Sequence, residues 1–224
     1  MSIQNESFSA LSAAFSASEN VGLTSTSASG ASVKRLLDLV LAFLALGMLL
    51  PVMALIAAAI KLDSPGPVFF RQRRAGRHGR IFSIFKFRSM HVLEDGADVV
   101  QAKTGDARIT RIGRVLRRSS LDELPQLLNV IAGDMALVGP RPHALAHDEY
   151  YGSRIANYRR RQVVRPGITG WAQVNGARGA TPRLSDMQAR IDFDLAYVAR
   201  ESLWLDCLIL LRTPFEVLRR RNAV

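Results

Sequence analysis

LLDLVLAFLALGMLLPVMALIAAAI, residues 36–60, is one apolar run broken by a single acid, Asp38, and a single proline, Pro51. About 20 such residues are enough to cross a bilayer. Lys34 and Arg35 precede the run, while Lys61, Arg71, Arg73, Arg74, Arg77 and Arg80 follow it. Positive charge favours the cytoplasmic face, so both flanks ask to stay on the same side. A straight span cannot satisfy both. A helix that enters, bends at Pro51 and returns by the same face can, because proline removes a helical hydrogen bond and clashes with the preceding turn. Gly47 loosens the same stretch. The run therefore predicts a re-entrant, monotopic anchor. A bitopic helix that tolerates its proline and a buried core helix are the competing readings, the latter unusual at this length. Asp38 reads as an interfacial charge or as a partner for Arg35.

Outward from the anchor, the chain divides into a Ser/Ala-rich tail over 1–32, the membrane helix over 33–62 and a cytoplasm-facing domain over 63–224. The 224 residues carry a formal net charge of +11. The tail holds Glu6 and Glu19 and no lysine or arginine, so the whole basic excess lies beyond it. It has little periodicity and reads as disordered, and without a basic n-region it is not a secretory signal. Cys207 is the only cysteine, which excludes an intrachain disulfide and a cysteine zinc cluster. Such basicity suits an acidic partner: lipid head groups, phosphorylated small molecules or nucleic acid. No Walker loop or GxGxxG is present, and GRHG at 76–79 reads as a turn.

Past the anchor, DSPGP at 63–67 ends the helix. Val68–Phe70 and Ile81–Phe87, joined by a turn at Arg77–Arg80, form a hairpin. Residues 94–106 read as loop or weak helix. Over 108–118, Ile109, Ile112 and Leu116 share one helical face while Arg111, Arg114, Arg117 and Arg118 occupy the others. That helix could lie on a membrane, present arginines to a phosphate, or simply carry a solvated basic face. Further helices are expected over 125–131 and 187–200. A shorter one over 203–211 should end at Thr213-Pro214, with Trp204 at an interface. Residues 166–176 read as loop, strand and loop, with glycines that let a ligand approach the backbone. The fold class is α-rich α+β: a proline-kinked re-entrant helix, amphipathic interfacial helices and a small β-hairpin.

The most chemical stretch is Asp122-Glu123, just after Arg117 and Arg118. Two carboxylates beside fixed positive charge should stay ionised. They could supply a nucleophile and hold Mg²⁺, which takes carboxylates together with substrate phosphates. A helix capping box over Ser120–Glu123 is the competing explanation, weakened by Pro125.

Five motifs in order, IKLDSPGPVFFRQRRAG (60–76), FKFRSM (85–90), TRIGRVLRRSSLDELPQ (110–126), GPRP (139–142) and RPGITGWAQVNG (165–176), resemble the bacterial sugar transferases, the small monotopic phosphoglycosyl transferases. The likeness runs from about Val33 to the C-terminus. It implies transfer of a sugar-1-phosphate from a UDP-sugar to undecaprenyl phosphate, with release of UMP, as a first membrane step of exopolysaccharide or other glycoconjugate synthesis. It also implies a re-entrant helix at the bacterial inner membrane. Asp122 becomes the nucleophile that holds a phosphosugar, and Glu123 helps to bind Mg²⁺. Lys86, Arg88, Arg117, Arg118 and Arg141 become the substrate-binding cations. GPRPHALAHDEY (139–150) is most like members that use UDP-glucose; galactose and N-acetylated sugars remain open. His143 and His147 read as solvated loop histidines or donor contacts. The expected partners are the UDP-sugar, the polyprenyl phosphate and membrane lipids rather than nucleic acid, and a homodimer is left open. A non-enzymatic, membrane-tethered basic adaptor is the rival class, and it leaves the Asp-Glu pair unexplained.

Overall fold

The computed structural model describes residues 28–91, 102 and 105–219. The tail over 1–27 and most of 94–106 lie outside the described residues. Helix α1, Ala28–Asp63, is continuous with Pro51 inside it. It begins within the segment expected to be tail: Ala28–Ser32 extend the helix, since propagating an existing helix is far cheaper than starting one.

α1 is the spine of the fold. Its buried or half-buried positions, Asp38, Ala42, Leu46, Leu49, Met53, Ile56 and Ile60, recur every three or four residues and form one stripe. The middle of the stripe packs Ala42, Ala45 and Leu46 on Phe82, Ile84, Leu127, Val130 and Met135. Its C-terminal half packs Met53, Ile56 and Ile60 on Phe87 and Leu116. The opposite faces leave Leu36, Phe43, Leu44, Met48 and Leu55 exposed.

Both ends of α1 are fastened to the same domain. At the first, Lys34 donates to the Val138 carbonyl and the Tyr197 hydroxyl, each at 3.2 Å, and pairs with Asp206. Arg35 donates to the carbonyls of Val130 at 2.6 Å and Ile131 at 3.0 Å. Asp38 is neither interfacial nor Arg35's partner: it is buried and accepts from the Leu137 amide at 3.1 Å. At the second end, Arg88 wraps the helix terminus, donating to Ser64 O at 2.7 Å, Ser64 Oγ at 3.0 Å and the Pro65 carbonyl. Gly66 beside it has φ +124°, and a Cβ there would overlap the guanidinium; glycine meets both demands.

The expected hairpin forms from β1, Phe69–Ala75, and β2, Ile81–Phe87, antiparallel with Phe69 opposite Phe87 and Ala75 opposite Ile81. Helix α2, Arg111–Ser119, is capped by Thr110, whose side chain accepts from Gly113 N at 2.9 Å. It buries Leu116 and exposes Arg111, Arg114 and Arg118. A short 3-10 turn, Leu121–Glu123, leads to α3, Gln126–Ala132.

A second two-stranded sheet pairs β3, Ala136–Val138, in parallel with β4, Gly167–Thr169. Here Gly167 and Gly170, expected to admit a ligand, admit backbone instead. A Cβ on Gly139 would meet Arg165 O at 2.3 Å, and one on Gly167 would meet Gly139 N at 2.1 Å. The strand expected around residue 172 is a helical turn, α5, Trp171–Val174.

Helix α4, Leu145–Gly152, and α6, Leu184–Ala199, enclose Tyr151, Tyr158, Met187 and Ile191. The last helix, α7, Leu203–Arg219, does not stop at Thr213-Pro214 but runs through it. Thr213 Oγ1 donates to Ile209 O at 2.7 Å, beside the place where Pro214 has no N–H to give. α7 buries Asp206 and Ile209 and exposes Trp204, Leu211, Phe215 and Leu218 along one side. A helix-rich domain with small sheets and one long apolar helix matches the expected class.

Candidate active site

Ser120 ends α2 in the left-handed region, at φ 59°, and the chain turns back at once, with Glu123 N donating to Ser120 O at 3.1 Å. The capping box does not form: Ser120 makes no side-chain cap bond, and its hydroxyl accepts from Arg178. Asp122 and Glu123 are thus held on a tight turn, against the end of β2 and the loop after β3.

β2 brings Lys86, whose ammonium meets Glu123 Oε1 at 2.7 Å. Strand and turn are kept in register by buried Asn129 on α3, which accepts from Phe85 N at 2.9 Å and donates to Ser83 O at 2.8 Å. The loop after β3 brings Arg141, which grips Glu123 with both terminal nitrogens, Nη1 to Oε2 at 3.0 Å. That bidentate fork fixes the carboxylate plane as well as its charge. The loop is itself tied down: Gly167 N donates to Pro140 O at 3.0 Å, Arg161 to the Arg141 carbonyl and Arg74 to Pro142 O at 3.2 Å.

The two carboxylates are electrically unlike. Arg141 and Lys86 overcome burial and hold Glu123 well below the usual carboxylate range. Asp122 is 6 % exposed, and its carboxylate makes no hydrogen bond among the described residues. Burial first, and the charge of Glu123 second, push it up to about 6, against the pull of Lys86, Arg117 and Arg141. The expectation that both acids stay ionised holds at neutral pH for each, but its reason fails at Asp122, where burial raises the carboxyl more than nearby cations lower it.

Of the remaining expected cations, Arg117 lies close enough to act on Asp122. Arg88 is spent on the end of α1 and is not on this face. Arg118 is exposed, and among the described residues no hydrogen bond or ion pair ties it to the dyad. Arg178 is an addition. It follows Gly176, a loop position with no periodic or charge pattern to mark it, and it donates to Ser120 while its charge reaches Glu123 and Asp122. His143 is not a solvated loop residue. It is buried, its Nδ1 sits 2.6 Å from Tyr158 Oη, and Tyr158 donates to Asp148 at 2.7 Å. Burial, with Arg161 and Arg190 nearby, keeps its imidazole well below the ordinary range. His147 packs edge-on to Tyr151.

Asp122, whose carboxylate makes no hydrogen bond among the described residues, has oxygens open to a ligand, whereas both Glu123 oxygens are met by Lys86 and Arg141; a Mg²⁺-type ion asks for one or two carboxylates and takes its other ligands from phosphates and water. Among the described residues there is no group of three or more His, Cys, Asp or Glu that could cage a metal alone.

Fold and site together define a domain built on an apolar membrane-type helix, with a carboxylate–cation centre suited to a phosphate-bearing substrate. The chain belongs to the bacterial sugar transferase family, whose model matches residues 29–220. It is 56 % identical over 191 residues to a UDP-glucose:undecaprenyl-phosphate glucose-1-phosphate transferase of Xanthomonas campestris pv. campestris, covering 85 % of this chain and 40 % of that one. The protein of the same description from Caulobacter vibrioides is 55 % identical, with 85 % and 71 % covered. That of Escherichia coli K12 is 52 % identical, with 82 % and 40 % covered. The match therefore spans about two fifths of the length of two of these relatives.

Proposed function

We propose that this protein transfers a sugar-1-phosphate, glucose-1-phosphate first among the candidates, from a UDP-sugar to undecaprenyl phosphate and releases UMP. The observation that carries this reading is the buried Asp122, without a hydrogen bond among the described residues, beside a Glu123 that Lys86 and Arg141 hold fast. The sugar and the lipid come from the descriptions of the similar proteins.

In the first step an Asp122 carboxylate oxygen forms a bond to the sugar-bearing phosphorus. The phosphoanhydride P–O bond breaks, and its electron pair leaves with UMP. In the second step a phosphate oxygen of the lipid attacks the same phosphorus, the bond to Asp122 breaks, and the carboxylate is restored. With the lipid phosphate as its dianion, no proton changes place. A carboxylate raised to about 6 is more basic than an ordinary aspartate and still ionised at neutral pH, which suits a nucleophile. Lys86, Arg117 and Arg141 offset the phosphate charge, the main task in phosphoryl transfer. Mg²⁺ held by Asp122 and Glu123 would add charge neutralisation and align the phosphates.

The reading includes a re-entrant α1 bent at Pro51, with the domain on the cytoplasmic side of the inner membrane. What supports it is the double fastening of the helix. Lys34 and Ser64, at opposite ends of the apolar run, both bind one domain, an arrangement that favours a helix returning to its own face. The helix is also about 54 Å long at ~1.5 Å per residue, well beyond a hydrocarbon core of about 30 Å. Cysteines at Ser32 and Asp63 should react with an impermeant reagent from the same side; labelling from opposite sides excludes the re-entrant form. The reaction is tested with a panel of UDP-sugars and undecaprenyl phosphate, with and without Mg²⁺. UMP and a lipid diphosphate sugar are expected. Release of UDP, or activity that survives Asp122→Asn, would overturn it.

A further inference from the structure

Arg178 reaches the carboxylate pair from residues 175–183, a stretch that forms neither helix nor strand. Glycines stand near it at 176 and 179, with φ of +86° and +91°, so the local backbone has conformations open to it that other residues avoid. The turn ahead of it is closed by Ala177 N donating to Ala172 O at 2.9 Å. Beyond that point the backbone leans on α6. Arg190, 7 % exposed, donates through Nε to Ala177 O at 3.1 Å and through Nη2 to Gly179 O at 2.7 Å. Those two carbonyls lie on either side of Arg178, and one rigid guanidinium spans both.

A buried guanidinium without a carboxylate partner costs stability, and among the described residues Arg190 makes no ion pair. Burial first, and the charge of Arg141 second, pull its pKa down to about 10, so it is still a cation at neutral pH. Asp194, one turn further along α6, attracts it but is paired with Arg161 at 2.8 Å. Arg161 in turn donates to the Arg141 carbonyl. One face of α6 therefore governs the backbone at both Arg178 and Arg141, two of the arginines around Glu123.

We propose that Arg190 is a positioning residue for the transfer reaction: by gripping the carbonyls on both sides of Arg178, it aims that guanidinium at the phosphate reacting beside Asp122. The inference rests on the transferase reading above and adds what fixes one of its cations. A lysine or an amide presents its donors from a single nitrogen, whereas the planar fork holds two carbonyls at a set spacing. Placement matters because a displacement of about 1 Å at a reacting centre can forfeit ~10²-fold in rate.

The test is a double-mutant cycle on the full chain in nanodiscs, read as UMP release from UDP-glucose with undecaprenyl phosphate. Arg190→Lys keeps the charge and loses the fork, and should lower kcat/KM roughly 10²-fold. Arg178→Ala should lower it at least as far. The double variant should lose no more than about twofold beyond Arg178→Ala, since Arg190 acts through the residue already removed. Losses that multiply overturn the proposal, as does an Arg190→Lys activity within about twofold of the wild type. A second readout does not need turnover: modification by phenylglyoxal, followed by mass spectrometry. Arg178 should react several times faster in Arg190→Lys than in the wild type, while exposed Arg111 and Arg114 keep their rates; an unchanged Arg178 rate overturns the proposal. Should Arg190→Lys not fold, both measurements pass to Arg190→Gln. Failure of both variants to fold also overturns it, because Arg190 would then hold the domain together rather than brace one loop. A wild-type chain that releases no UMP from any UDP-sugar would sink the transferase reading instead, and the modification rates would still decide whether Arg190 holds Arg178.

Discussion

Arg141 faces the half-buried Glu123 and Arg161 the buried Asp194, and the two regions differ in what is left over. Around Arg161 the ion pair itself leaves nothing over, although neighbouring Asp148 Oδ2 and His143 Nε2 are buried with no hydrogen-bond partner among the described residues. Its guanidinium meets Asp194 through Nε at 2.9 Å and Nη2 at 2.8 Å, both side chains are at most 3 % exposed, and a further N–H goes to the Arg141 carbonyl. Around Arg141 the ion pair with Glu123 is just as tight, yet a second carboxylate, Asp122, stands beside it with no hydrogen bond or ion pair of its own among the described residues. One region is closed and holds backbone in place. The other keeps an unspent charge, and the closed region is what holds it in position through the Arg141 loop. A buried charge that is left unpaired costs stability and persists where it serves a function.

The sharpest way to break this comparison is Asp122→Asn, which should lower transfer activity by about 10³-fold or more and abolish labelling of the protein by donor. Turnover within tenfold of the wild type would make Asp122 a structural residue like Asp194. Next is Arg161→Ala. It strands Asp194 in the interior and should cost about 3–5 kcal/mol of stability, read from denaturant unfolding; a loss below about 1 kcal/mol would mean that the closed region is not holding the fold.

A third effect is smaller and opposite in sign. Because folding raises the Asp122 pKa from 3.8 to about 6, the ionised carboxylate costs stability at neutral pH, and that cost is absent below the unfolded value. In metal-free buffer Asp122→Asn should therefore gain about 1–3 kcal/mol on the wild type as pH rises from about 4 to 7. A stability difference flat across that range would place the shift elsewhere. Arg118→Ala should do least, staying within about 0.5 kcal/mol in stability and transition-state binding; a large loss of kcat/KM would bring this exposed residue back among the substrate contacts.

Much of the fold was legible because local patterns stated it. The alternation in IFSIFKF over 81–87 gave the hairpin its second strand, and Ile112 with Leu116 gave α2 its buried face. The elements misread were those where a local signal was overruled by packing. Pro214 signals a helix end, but α7 is held just ahead of it by buried Asp206 and Ile209 and by the Thr213 hydroxyl, which donates to Ile209 O. The glycines at 167 and 170 signal a ligand loop, but what approaches them is the chain at 139. Within the site, Asp122, Glu123, Lys86 and Arg141 stood out through motif and charge. Arg88 looked like their equal, since a sequence cannot say whether an arginine spends its N–H groups on substrate or on the carbonyls at a helix end. Arg178 was hidden in a loop.

By itself, then, the sequence determined that 36–60 is apolar on every side, that charge flanks it at both ends, and that two acids lie among arginines. An all-round apolar helix has no preferred face, so nothing local could say that Ala42, Leu46, Met53, Ile56 and Ile60 would turn to the domain while Leu44, Met48 and Leu55 turned away. The tertiary structure decided that, together with which of two adjacent carboxylates would be clamped and which left free. The physical reason is common to both: burial and charge pairing are properties of the space around a side chain, and that space is made by residues far away in the chain.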